Sequence, residues 1–189
     1  MTFVQPTWIE GAVYHAMWFV IPLIIAIVLL AIGSIKDNAP AFGIGIIFVF
    51  IAIIGGVFGG SIGWHYAYEV PSVDEKVITV DDWQPTFGHY WGDVKSADDL
   101  MLKTKDGELF INNENFLFQK FNTRDVLDHL KPNGTYKIKY YGWREGFNNG
   151  CPNILSVEQV IDENNTPAHH DISNYMNKRS VIIDNDNNW

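Results

Sequence analysis

NTRDVLDHLKPNGTYKIKYYGWR, residues 122–144, holds a helix, its stop and a strand in one short stretch. Asn122 or Thr123 is placed to cap RDVLDHL, whose Val126, Leu127 and Leu130 share one helical face, and Pro132 with Gly134 ends the helix. TYKIKYYGW (135–143) then sets Tyr136, Ile138 and Tyr140 against Lys137, Lys139 and Tyr141, the period of a half-buried strand. A short amphipathic helix that feeds such a strand is a plug for a β-structure, so the flanks must supply the other strands.

Upstream, KVITV (76–80) has the β-branched density of a strand, and MLKTKDGELFIN (101–112) reads as two short runs joined by Asp106-Gly107. That dipeptide suits a two-residue type I′ turn, whose central positions both need positive φ. Between them, residues 83–99 mix aromatics with Pro, Gly and Asp without a period and read as a long structured loop. Phe116, Phe118 and Phe121 add to the apolar supply. Downstream, a turn through Asn148-Asn149-Gly150 leads to NILSVEQV (153–160), with Leu155 and Val157 on one side and Ser156 and Glu158 on the other. The order of strand, hairpin, helix, strand, strand is that of an OB-like barrel whose helix closes the bottom. A different small barrel or sandwich also accommodates it. The expected fold is therefore a small mainly-β domain over 76–161, after a linker at 67–75 and before an acidic, Asn-rich tail at 162–189.

Ahead of the linker the chain changes character. Of 13 basic and 22 acidic residues, only Glu10, Lys36 and Asp37 precede residue 65. Two uncharged runs, about 16–35 and 42–64, are each long enough to cross roughly 30 Å of hydrocarbon as a helix. Joined by a short hinge, they predict a membrane α-helical hairpin within residues 1–66, an integral membrane protein with both termini on the same side, and the lipid bilayer as first partner. Trp8, Tyr14 and Trp18 at one end, with Trp64, Tyr66 and Tyr68 at the other, supply the aromatic belt of such a hairpin. A cleavable signal peptide is not expected, because the first run is too long and follows no basic residue. Lys36 and Lys76 leave the positive-inside count close to a tie, so the side of the β-domain stays open.

The second run carries Gly55, Gly56, Gly59, Gly60 and Gly63, three overlapping GxxxG spacings that lay small residues along one stripe. The stripe packs either on the first span or on a membrane protein partner or second copy. The formal charge of −9 falls almost entirely after the spans, and would repel phosphate backbones; nucleic acid is not an expected partner. Cys151 is the single cysteine and leaves the redox compartment undecided.

Phe121, Asn122, Leu130, Gly134, Tyr136, Gly142, Arg144, Asn153 and Ile154 together form a pattern that resembles an uncharacterised family of small membrane-anchored proteins of bacteria and their phages. The resemblance covers roughly 75–161. It implies a membrane-tethered accessory domain, phage-encoded and acting at a host envelope, and implies no reaction. The chain departs from that pattern in having two spans where the family has one, and in placing Glu145-Gly146-Phe147-Asn148-Asn149 where an apolar stretch follows the family's arginine.

Arg144, Trp143 and Tyr141 are the candidate binding residues. Arg144 carries five donors in a planar fork that clamps a carboxylate or phosphate, and it also suits the carbonyls of its own turn. His169, His170 and Asp171, with His65, His89 and His129, lack the spacing of a metal site, and none is expected. Asp81-Asp82 and Asp98-Asp99 read as a solvated acidic face. No P-loop, nucleophile elbow or dinucleotide fingerprint occurs, so neither a cofactor nor a catalytic residue is assigned. The function expected is non-enzymatic binding at a membrane surface; the alternative is a structural subunit assembled through the glycine-rich second helix.

Overall fold

The computed structural model describes residues 3–87, 94–144 and 150–167, which divide between two compact units, Met1–Pro71 and Ser72–Trp189. The first unit is a pair of long apolar helices. α1 spans Trp8–Ile35 and opens on a capping box, in which Thr7 Oγ1 accepts from Glu10 N at 3.3 Å and Glu10 Oε2 accepts from Thr7 N at 2.7 Å. The box starts the helix well ahead of the apolar run. After a left-handed Asp37 (φ 49°), Asn38 Oδ1 accepts from Ala41 N at 3.1 Å and caps α2, which is continuous over Ala39–Ser72 with π-helical turns at Gly55–Gly59 and His65–Glu69. Residues 67–75, read as the linker, are helical to Ser72 and become strand at Asp74.

Both helices are long and apolar enough to cross a membrane. Within the apolar runs their buried positions are small, Ala26 and Gly33 on α1 and Gly45, Ala52 and Gly60 on α2, with the buried His65 lying just beyond the second run, while Ile27, Phe50 and Phe58 stand 57–61% exposed. This arrangement is the reverse of a water-soluble helix pair, in which large apolar side chains face the partner. It matches helices whose contact depends on close backbone approach.

The second unit is a five-stranded mixed sheet with one short helix: β1 (Asp74–Pro85), β2 (Leu100–Thr104), β3 (Leu109–Ile111), α3 (Thr123–His129), β4 (Thr135–Tyr141) and β5 (Asn153–Asp162). Pairing follows β1-β2-β3-β5-β4 and returns from β4 to β1; every pair is antiparallel except β3 with β5, joined at Ile111 and Asn153. Trp83, Leu100, Leu102, Leu127, Leu130, Tyr136, Ile138 and Ile154 are fully buried between the sheet and α3, and Trp83 Nε1 donates to Leu130 O at 2.9 Å.

Four local expectations change. β1 does not stop at Val80: a bulge between Val80 and Asp82 resets the alternation, so that Val80 and Trp83 both reach the core and the strand runs on to Pro85. The β2–β3 connection is not a type I′ turn. Only Gly107 is left-handed (φ 87°), Gly107 N donates to Thr104 O and Thr104 N to Glu108 O, both at 3.0 Å, and the Asp106 carboxylate accepts from the Thr104 hydroxyl; this is a three-residue loop ending in a left-handed glycine. Asn122 occupies the N-cap of α3 without a side-chain capping bond. On β5 the pairs Tyr140↔Ile154 and Lys139↔Ser156 leave Leu155 out of register, so Ile154 and Val157, not Leu155 and Val157, share the core face. The proposed Asn148-Asn149-Gly150 turn, up to Asn149, and the tail from 168 onward lie outside the described residues.

Candidate functional site

β4 ends at Tyr141, and the left-handed Gly142 (φ 83°), whose N–H donates to Ser72 Oγ at 2.8 Å, turns the chain out of the sheet. Trp143 and Arg144 thereby line a cleft of about 520 Å³. Leu109, Phe110, Tyr140 and Pro152 form its apolar lining, with Phe110 and Tyr140 in edge contact at 5.4 Å. Lys76 and Glu108 pair at 2.5 Å on the same lining; the pair holds the lysine above its ordinary pKa, and burial raises the Tyr140 hydroxyl. An apolar, aromatic hollow with a few charged groups at its margin is a binding geometry.

Arg144 Nη1 donates to Gly150 O at 3.4 Å and to Cys151 Sγ at 2.6 Å, and the guanidinium lies over the Phe87 ring at 5.0 Å. Arg144 thus ties the end of β4 to Gly150 and Cys151 and forms a wall of the cleft at once. Cys151 is buried beneath it.

Tyr141 is placed elsewhere. It is buried on the other side of β4, its hydroxyl accepting from Asn115 Nδ2 at 2.7 Å and Asn153 Nδ2 at 3.1 Å, and its ring lies 4.2 Å from Phe118. Around it runs a polar network that the sequence reading missed. Lys120 is only 4% exposed, and its Nζ donates to Asn112 Oδ1 at 2.9 Å, Asn113 O at 2.8 Å and Asn153 Oδ1 at 3.3 Å. Burial pulls this lysine down to about 8, against the opposing pull of Asp98 and Glu114. Asn112 Nδ2 donates to Thr123 O at 2.7 Å and Asn153 Nδ2 to Asn113 O at 2.9 Å, so the network ties β3, β5 and the start of α3 together. The signal available in the sequence was the crowding of Asn112, Asn113 and Asn115 before a lysine set between Phe118 and Phe121.

The other singled-out residues take structural parts. Asp81 pairs with Lys103 at 2.8 Å and Lys105 at 3.2 Å, hydrogen bonds that hold its carboxyl below the usual range. Asp82 Oδ1 accepts from Trp83 N, and Asp99 Oδ2 from Lys95 N and Ser96 N. His129 Nδ1 lies 2.6 Å from Asp125 O, and His65 Nδ1 lies 2.9 Å from Glu69 Oε2. Among the described residues no three His, Cys, Asp or Glu side chains gather as metal ligands; His89, His169, His170 and Asp171 lie outside them.

The glycine stripe sits against α1. A Cβ on Gly55 would come 3.0 Å from Trp18 O, on Gly56 3.2 Å from Phe19 Cβ, on Gly59 2.8 Å from Trp18 Cε3 and on Gly60 3.1 Å from His15 Nδ1, and one on Gly63 would strike the Tyr14 hydroxyl. Comparison of the chain with protein-family models, curated proteins and solved structures finds no match.

Proposed function

We propose that the protein is a non-enzymatic binding protein, held in a bilayer by the α1–α2 hairpin with both termini on one side. Its β-domain, read as an OB-like barrel, presents the cleft of Trp143 and Arg144 at the membrane surface. The observation that carries the reading is the exposure of large apolar side chains around both helices, with small residues between them. In water that surface would cost roughly 25 cal/mol for each Å² left wet; in hydrocarbon the cost vanishes. The contacts of Gly55, Gly56, Gly59, Gly60 and Gly63 with α1 favour anchoring over assembly through that stripe. Envelope action, as the resemblance implies, belongs to the same proposal.

Photocrosslinkers placed at Trp143 and Leu109 in native membranes test the cleft, with the exposed Glu158 as the control position. A defined adduct from the first two sites and none from Glu158 is expected. Equal, diffuse labelling from all three would refute a binding role for the cleft.

A further inference from the structure

Phe116 and Phe121 are 80% and 60% exposed, and their rings meet edge to face at 6.5 Å. Exposing two phenylalanines side by side is costly in water, and such a patch ordinarily marks a contact surface. The loop that carries them is held in shape. Asn115 and Lys120 form a bridge, their backbones exchanging hydrogen bonds at 2.9 and 3.0 Å. Asn115 Oδ1 accepts from Leu117 N and Phe118 N, Asn115 Nδ2 donates to Tyr141, and the Lys120 ammonium is fastened beneath by three oxygens. The buried network thus presents the two rings outward on a fixed platform.

The position of the loop within the β-domain identifies what covers it. Asp74 pairs with Tyr140, so β1 begins beside the end of β4, where Tyr141 meets Asn115. Val73 lines one cleft with Phe118 and Phe121, and Lys139 adds a cation to the same lining. Val73 directly follows Ser72, the last residue of α2. The aromatic loop is therefore on the tethered end of the domain. The end of β1 away from Val73 carries Lys95, whose N–H bonds the Asp99 carboxylate just ahead of the Leu100–Pro85 pair, whereas the β2–β3 loop runs back along β1 and sets Glu108 against Lys76.

The geometry points to Phe116 and Phe121 as a second membrane contact, inserted at the interface of the same bilayer that holds α1 and α2. This inference rests on the membrane reading above. Exposed aromatic rings suit the headgroup boundary, where interfacial anchors sit, and a domain held by its tether meets that surface at a high effective concentration.

The test uses the full chain in protein-free nanodiscs of phosphatidylcholine and phosphatidylglycerol, in a Cys151→Ser background. An environment-sensitive fluorophore is attached at Phe116→Cys or at the exposed Lys95→Cys, with circular dichroism confirming the fold of each. Blue-shifted emission at position 116, quenched severalfold more by shallow spin-labelled lipid than at position 95, is the expected result. Water-like emission at both positions in incorporated protein would overturn the inference and leave the membrane reading intact. Failure of the chain to incorporate would overturn both. A blue shift at 116 that needs added native membrane proteins would assign the surface to a protein partner, and so overturn it too.

Discussion

Arg144 joins two chain segments through one nitrogen and an aromatic face, so its removal has a structural consequence. Arg144→Ala is expected to lower stability by about 1–2 kcal/mol, the range for a lost hydrogen bond plus a partly exposed cation–π contact. Arg144→Lys should recover less than half of that, because an ammonium has no planar fork. Urea unfolding of the full chain in detergent measures both. Lys120 yields a pH dependence of definite sign. Its folded value near 8 lies below the ordinary 10.5 of an unfolded lysine, so between the two the unfolded chain binds more protons. Stability then rises with pH from about 8 toward 10, by at most about 1.4 kcal/mol per pH unit. Tyr136, whose hydroxyl is raised by burial and by Glu163, works the other way but only above the ordinary tyrosine range. A Lys120→Met chain should lose the rise between pH 8 and 9.5; an unchanged slope would show that the lysine is not held as described.

At the scale of elements, the sequence was legible wherever periodicity ran unbroken. The helix read at 124–130 is found at Thr123–His129 and the strand read at 135–143 at Thr135–Tyr141, with Val126, Leu127, Leu130, Tyr136 and Ile138 buried as read. It was illegible where a bulge broke the alternation, at Asp81 and Leu155, since one inserted residue exchanges the two faces of a strand. Lys120 was missed for a different reason: a lysine is buried only when acceptors from several elements converge on it, and convergence leaves no trace in spacing. The β2–β3 loop offers a direct test. A Cβ at Gly107 would meet nothing within 4 Å, so Gly107→Ala isolates the left-handed backbone and is expected to cost about 1–2 kcal/mol, with Gly107→Asn costing less. The hairpin offers another. Gly33→Leu drives a side chain into Phe42, whose backbone N lies 2.6 Å from the new Cβ, whereas Gly43→Leu enters open space. Heating in detergent should unfold the first variant well below the wild type and leave the second unchanged.

For the whole molecule, the two long apolar helices were legible in composition, because uncharged runs of bilayer length stand apart from the charged remainder of the chain. The two candidate contact features were unequally visible. Trp143 and Arg144, singled out as candidate binding residues, line one cleft, whereas Phe116 and Phe121, read as part of the apolar supply, are the most exposed aromatics of the β-domain's described residues. Both features belong to the proposal that the sheet is carried at a membrane, and that is the central claim. Because Cys151 is buried, a native thiol is a poor reporter of sidedness. Single cysteines at Val4, Asp37 and Asp106, all exposed, report it instead when probed with a membrane-impermeant thiol reagent in sealed vesicles. Positions 4 and 106 should react together, with position 37 reacting only from the opposite side of the membrane; equal reaction of all three in sealed vesicles, or opposite behaviour of 4 and 106, would contradict the account.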